Sequence, residues 1–389
     1  MKKILSLSMA AVMALSLAAC GGSGDTAATS GSTATNATAE GASSSEITGI
    51  AQVCDVGTID DESFNQGCWT AVEAFGEANG IQVDYYLPPS EDANDEDRET
   101  LIRNAVNDGA NTIVCVGYLY GPSLAWAATE YPDVHFIAVD VTVADIGTET
   151  IPANVYCITY KEEQAGYLAG YAAVKDGFTE LGFLGGMAVP AVIRFGYGYV
   201  QGADAAAQEL GTNVNIKYWY GGAFSGDANI TAKMESWYSA GTQVVFACGG
   251  GIYTSALEAA VKYDGKVIGV DVDQNYIGEQ GVEDGKYSYN PFVTSAMKGL
   301  SEGVTDALDH VAAGTWDTIA GTNFVYGLQE GDYVGLPTAE DSWNFSTFTV
   351  EEYEAVKEKI RSGEIIVDNN SDDATKPTTS DFVTVDYQV

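Results

Sequence analysis

The 389-residue sequence predicts an α/β protein built as two doubly wound lobes, and three observations carry that expectation. Strand-like apolar runs alternate with helical patterns, which argues for parallel sheets with right-handed crossovers. The alternation runs through residues 50–158 and starts afresh at 181. The chain is too long for one ordinary domain and suits two lobes of roughly 100–200 residues each, with an apolar fraction of 46% to supply both cores.

The N-terminus reads as a leader. Lys2 and Lys3 precede an apolar run over 4–17 that is too short for a membrane span, and small residues lead up to Cys20; this is a signal-peptide pattern. Leu17-Ala18-Ala19-Cys20 also matches the lipobox of bacterial lipoproteins, so residues 1–19 are expected to be removed and Cys20 to carry diacylglycerol. A lipid tether would then hold the protein at the cell membrane, facing the extracellular side or a periplasm. Residues 20–46 are almost wholly Gly, Ser, Thr, Ala and Asn, a composition that buries no core and behaves as a flexible linker.

The folded part is expected from Ile47. An apolar run ending at Cys54 is followed by Asp55, Gly57, Asp60, Asp61, Ser63, Phe64, Asn65 and Gln66, before Trp69, Val72 and Phe75 take up helical spacing. In a doubly wound sheet, ligands bind outside the carboxyl ends of the strands. A carboxylate, an aromatic ring and two amides crowded into one βα turn therefore suggest half of a binding site. The same residues suit a plainer role, in which Asp61 or Ser63 caps the helix and Phe64 joins the core. Asn79-Gly80 ends that helix. Further strands are expected at 81–87, 112–116, 135–139 and 154–158, with helices before Asp108-Gly109 and around 124–128.

In the second series, strands are expected at 181–185, 214–220, 244–248 and 267–270, and helices at 192–210, 225–240 and 253–263. The turns after these strands carry Gly185-Gly186, Gly221-Gly222-Ala223-Phe224, Gly249-Gly250-Gly251 and Asp271-Val272-Asp273-Gln274. Glycines there let backbone approach a ligand closely, and the acidic pair suits sugar hydroxyls. Such turns are about as often structural as functional. None matches a dinucleotide fingerprint or a Walker A loop, which argues against a phosphate cradle.

Two successive α/β lobes resemble a type I periplasmic-binding-protein fold, in which a three-strand hinge joins the lobes. By that analogy the crossings fall near 156–159, 287–292 and 323–333, and a helix over 294–311 returns to the first lobe. The expected division is 47–157 and 288–325 for the N-terminal lobe, 158–287 and 326–362 for the C-terminal lobe, and 363–389 for a C-terminal tail. A helix over 351–360 precedes that tail, within which 382–387 alternates like a short strand.

Seventeen basic against 55 acidic side chains give a formal net charge of −38, a field that repels nucleic acid and disfavours a polyanionic ligand. A neutral or cationic small ligand fits better. His135 and His310 are isolated, so a zinc site or a His-based triad has little support. The five cysteines beyond Cys20 lack metal spacing, and four lie in apolar runs where a thiol packs as a small hydrophobe. No metal or cofactor is expected.

The string DVGTIDDESFNQ over 55–66 resembles the signature of the basic membrane protein family, the PnrA-type nucleoside-binding lipoproteins that feed ABC importers. The likeness continues through EQAGYLAG at 163–170, Arg194-Phe195 to Gly202, Phe224-Ser225, the glycines 249–251, IGVDVDQ at 268–274, and Thr294-Ser295 followed by Lys298. It implies a monomeric extracellular substrate-binding lipoprotein, not an enzyme, that captures a purine nucleoside and delivers it to an ABC permease.

The resemblance also implies a site. The base would stack between Phe64 and Phe224, Asp55 and Asn65 would hold base edge or ribose, Gly250 would bring backbone near the ligand, and Asp271 with Lys298 would meet the ribose hydroxyls. Lys298 has a plainer alternative as a solvated helix residue, and Arg194 as a surface ion pair on the second lobe. One departure is that Ile193-Arg194-Phe195 stands where the family is expected to carry two basic residues before Phe. A sugar or autoinducer receptor of the same fold is the alternative reading. A nucleoside hydrolase is a further one, but it would need a calcium-holding aspartate cluster, and the pairs Asp60-Asp61 and Asp271/Asp273 are expected in different lobes.

Overall fold

The computed structural model describes residues 47–389, so the expected leader, Cys20 and the linker lie outside the described residues. The first series is β1 (Ile50–Cys54), α1 (Phe64–Asn79), β2 (Val83–Tyr86), α2 (Asp95–Asn107), β3 (Thr112–Val116), α3 (Gly121–Glu130), β4 (His135–Val139), α4 (Val143–Ile146) and β5 (Val155–Tyr160). The second is α5 (Glu162–Lys175), β6 (Glu180–Gly185), α6 (Pro190–Leu210), β7 (Val214–Tyr220), α7 (Ala228–Ser239), β8 (Val244–Cys248), α8 (Tyr253–Lys262), β9 (Lys266–Asp271), α9 (Asn275–Glu283) and β10 (Phe292–Lys298). The chain continues through α10 (Leu300–Ala312), β11 (Asn323–Tyr326), β12 (Val334–Gly335), α11 (Val350–Arg361) and β13 (Val383–Tyr387).

Each series winds one parallel sheet in the same order, β2-β1-β3-β4-β5 in the first lobe and β7-β6-β8-β9-β10 in the second. β11 extends the first sheet beside β5, whereas β12 adds antiparallel to β10 and β13 adds parallel to β7. β1, β3 and β8 are buried along their whole length, which is why they read as continuous apolar runs rather than alternating ones. One apolar cluster packs α2 and α3 against the first sheet and another packs α7 and α8 against the second. The largest runs unbroken across the hinge, from Val72, Leu300 and Val304 to Phe195, Tyr199 and Val200.

Three expectations are corrected. Residues 294–298 do not begin a helix: with β-branched Val293 and Thr294 and near-complete burial, Phe292–Lys298 forms β10 between β9 and β12, and Gly299 separates it from α10. The second crossing therefore falls at Gly299 rather than near 287–292, and β10 belongs to the second sheet, not with the N-terminal lobe. The strand expected at 382–387 forms as β13, and because it pairs with β7 the segment 363–389 is part of the second lobe rather than a separate tail. The crossings converge, with Tyr160 Oη donating to Gly299 O at 3.0 Å, Gly299 N to Tyr333 O at 2.6 Å and Lys161 N to Tyr326 O at 2.9 Å.

The closest helix contact is between α5 and α6. A Cβ on Gly166 or Gly170 would overlap the carbonyl oxygen of Phe195 or Tyr199, and one on Gly198 or Gly202 would overlap that of Glu163 or Tyr167. These reciprocal glycines let the two backbones touch. The contact brings Glu162, at the start of α5, against Arg194 in the second turn of α6.

Candidate functional site

In both sheets the strand order reverses beside the first strand, between β1 and β3 and between β6 and β8, the position where doubly wound sheets bind ligands. The chain is built for close approach at both points. Gly117, at φ 114° after β3, leaves room for the Asp55 carboxylate after β1, which any Cβ would overlap. In the second lobe, Gly186 and Gly249 form a backbone shelf on which the Phe224 ring lies; a Cβ on Gly249 would fall 3.0 Å from the ring.

A cavity of about 280 Å³ lies between these strand ends, and Asp55, Phe64, Asn65, Phe224, Gly250, Asp271 and Lys298 all line it. The fold thus brings together every residue that the sequence singled out for the site. Lys298 is not a solvated helix residue: it ends β10 at the crossing, and its side chain is 2% exposed.

The opening turn sorts its own residues. Asp61 is the helix cap, accepting from the backbone N–H of Ser63 at 2.9 Å and of Asn65 and Gln66 at 3.0 Å, groups otherwise without helical partners. Ser63, at the N-cap position, caps nothing. Its hydroxyl crosses the cleft and donates to Asp271 Oδ2 at 2.6 Å. Gln274 Nε2 also crosses to Glu62 O at 2.8 Å, and Ser225 Oγ to Glu91 Oε1 at 2.7 Å. The lobes are therefore closed on each other. Asn65 donates to Val56 O and Asp61 Oδ2, both at 3.0 Å.

Around Lys298 lies an ion cluster that sequence reasoning missed. Its Nζ is 2.6 Å from Asp140 Oδ2, 3.6 Å from Asp271 Oδ1 and 3.8 Å from Glu162 Oε1. It also lies 4.5 Å from the centroid of the Phe64 ring. Glu162 in turn holds Arg194 Nε at 2.6 Å. Arg194 is thus an ion pair in the cavity wall, rather than one on the lobe surface. Asp140, directly after β4, and Asp271, the last residue of β9, have φ of 59° and 68°, a left-handed conformation uncommon for residues other than glycine. Such strain concentrates at functional sites. Asp140 carried no signal beyond being an aspartate after a strand, the position that also drew attention to Asp55 and Asp271.

The electrostatics are those of an acidic, partly compensated pocket. Burial pushes Asp55 up to about 7, against the pull of Arg98 and of the backbone N–H groups of Val56 and Leu119. Burial also raises Asp140, Asp271 and Asp61, with Lys298 as the chief opposing influence on the first two. Lys298 is raised in turn, because the attraction of Asp140, Asp271 and Glu162 outweighs its own burial. Asn65 Oδ1 and Asp140 Oδ1 are buried acceptors without a hydrogen-bond donor in the protein. Hydroxyl or N–H donors on a ligand would complete them. Among the described residues no group of three or more His, Cys, Asp or Glu is disposed to hold a metal ion, and Cys54, Cys68, Cys115, Cys157 and Cys248 are all free and buried.

Fold and cavity define a two-lobed binding protein that closes around a small molecule. The comparisons with known proteins make the class specific. A family pattern described as "ABC transporter substrate-binding protein PnrA-like" matches residues 49–371, and the chain belongs to that family. A Lactococcus lactis protein named "ABC transporter nucleoside-binding protein BmpA" is 28% identical over 348 residues, covering 87% of this chain and 92% of its own. The "CD4+ T-cell-stimulating antigen" of Listeria innocua is 31% identical over 375 residues, covering 93% and 97%. The crystal structure of an ABC transporter solute-binding protein from Aeropyrum pernix shares the fold, with a TM-score of 0.68 at 23% identity over 84% of this chain and 94% of that one. The protein is accordingly an ABC transporter substrate-binding protein, with a small-molecule ligand and a transporter as partner. No helix among the described residues is long and apolar enough to cross a membrane.

Proposed function

We propose that the protein captures a purine nucleoside between its lobes and, anchored through a lipid on Cys20 at the outer face of the membrane, delivers it as a monomer to an ABC importer. The observation that carries the reading is the make-up of the cavity wall: one phenylalanine from each lobe, Phe64 and Phe224, among hydrogen-bond acceptors, with no phosphate-binding loop. Flat rings on a base contribute roughly 1–3 kcal/mol per base in nucleobase systems. Asp55, Asn65, Asp140 and Asp271 offer acceptors to ribose hydroxyls and to base N–H groups. The surplus of carboxylates favours a neutral nucleoside over a nucleotide. The cavity volume of about 280 Å³ lies at the lower edge of small-molecule clefts, as expected of a site closed around a compact ligand. The Lactococcus relative's name supports the same substrate class.

Native mass spectrometry of the purified protein, followed by calorimetry with inosine, adenosine, guanosine and cytidine, tests this. Purine nucleosides should bind and cytidine should bind more weakly. Absence of binding by all four would overturn the reading.

A further inference from the structure

One part of the cavity wall comes from a segment with no expected role. Ser371 lines the cavity, yet it lies beyond α11 on the C-terminal arm, at the last residue of the family match. The arm is tied to the second lobe on both sides of this residue. Before it, Gln201 on α6 exchanges two hydrogen bonds with the backbone of Asp368: Gln201 Nε2 donates to Asp368 O and Asp368 N to Gln201 Oε1, both at 2.9 Å.

After Ser371, Asp204 Oδ1 accepts from Ser380 N at 2.9 Å and Ser380 Oγ at 2.6 Å, and β13 pairs with β7 from Val383 to Tyr387. Lys376, paired with Asp373 at 2.6 Å, lies 4.9 Å from the Tyr387 ring centroid. The intervening turns close on themselves, with Asp368, Asn370 and Asp372 each accepting from the backbone N–H two residues on. A segment fastened at so many points is a fixed bracket, and it sets a small, solvent-exposed side chain at the mouth of the cavity.

We propose that Ser371 is a ligand-retaining residue of the cavity wall and Gln201 its positioning residue, the arm completing the wall of the cavity when the lobes close. The nucleoside reading enters only in the choice of inosine as probe. A wall completed on closure acts on release rather than on capture, because ligand first meets the open cleft. A bulky residue at 371 would hold the closed cavity ajar. Loss of the Gln201 clamp would let the wall yield.

The test measures association and release of inosine by stopped flow for the full chain, Ser371→Trp and Gln201→Ala, with Tm as a control on folding. Ser371→Trp should speed release about tenfold or more, and Gln201→Ala about threefold or more, with association within about threefold of the parent in both. Release unchanged in both variants, or a lower Tm without faster release, would overturn the inference and leave the nucleoside reading intact. If the parent binds no nucleoside but retains another small molecule, the nucleoside reading fails instead. The arm is then judged by native mass spectrometry of that retained molecule. Its occupancy should fall in Ser371→Trp, and undiminished occupancy overturns the inference. A parent that neither binds inosine nor retains any ligand defeats both.

Discussion

Lys298 Nζ lies 2.6 Å from Asp140 Oδ2, an ion pair that spans the hinge, with the lysine at the end of a second-lobe strand and the aspartate directly after a first-lobe strand. Asp271 and Glu162 face the same ammonium from the second lobe at 3.6 and 3.8 Å. One buried cation therefore compensates carboxylates from both lobes.

Removing that cation should be costly in a pH-dependent way. Lys298→Met leaves Asp140 and Asp271 uncompensated, while Glu162 keeps its pairing with Arg194, and breaking one side of a buried pair typically costs about 3–5 kcal/mol. Carboxyls held above their ordinary pKa take up protons in the folded state, so stability rises as pH falls through their folded values. The loss in urea denaturation should accordingly be largest near pH 8 and smaller near pH 5. Equal losses at both would contradict the ion-cluster account.

Asp55 gives a second pH signature. With burial holding it at about 7, the folded state binds a proton that the unfolded chain releases near pH 4, so this group lowers stability progressively as pH rises from about 4 to about 7. Asp55→Asn should remove that part of the slope and make the protein relatively more stable above pH 7. Parallel stability profiles for parent and variant would rule out the raised value.

The stacking pair can be tested directly by calorimetry. Phe64→Ala, Phe224→Ala and Asp271→Ala should each weaken purine nucleoside binding by about tenfold or more, a loss of about 1.4 kcal/mol. Unchanged affinity in all three would sink the site assignment.

The α5–α6 contact predicts an effect from a single methyl group. The added Cβ of Gly198→Ala meets the backbone carbonyl of Glu163, which only a shift of the helices relieves. Overpacking of this kind costs roughly 1–3 kcal/mol, and a lower Tm should report it. Because the same contact seats Glu162 against Arg194, nucleoside affinity should fall as well. A variant with parental Tm would show that the helices have slack.

Much of this architecture was legible in advance. The expected strands 112–116, 135–139, 214–220 and 244–248 coincide with β3, β4, β7 and β8. Of these, β3, β4 and β8 are buried on both faces and leave nearly unbroken apolar runs, whereas β7 alternates buried and more exposed positions, the period of a strand with one open face. The opening turn gave Asp55, Phe64 and Asn65 through an unusual density of polar groups at a strand end. The reading of 294–298 as helix failed because Ala296, Met297 and Lys298 suit a helix locally, while the vacancy beside β9 that a strand fills lies elsewhere in the chain.

The sequence by itself determined the two α/β lobes, the strand ends that face the cleft and the family, since these rest on local periodicity and on motifs read in order. Only the tertiary structure decided which charges meet. Asp140, Glu162, Arg194 and Lys298 come from separate segments, and the ion cluster exists because β10 stays in the second sheet up to the crossing at Gly299, setting Lys298 at the hinge, and because the α5–α6 glycines let two helices touch. The same holds for Ser371, which lies at the cavity on an arm held to α6 by Gln201 and Asp204 and to β7 by β13. Burial makes such pairings strong, and burial is a property of the packed chain rather than of any local stretch.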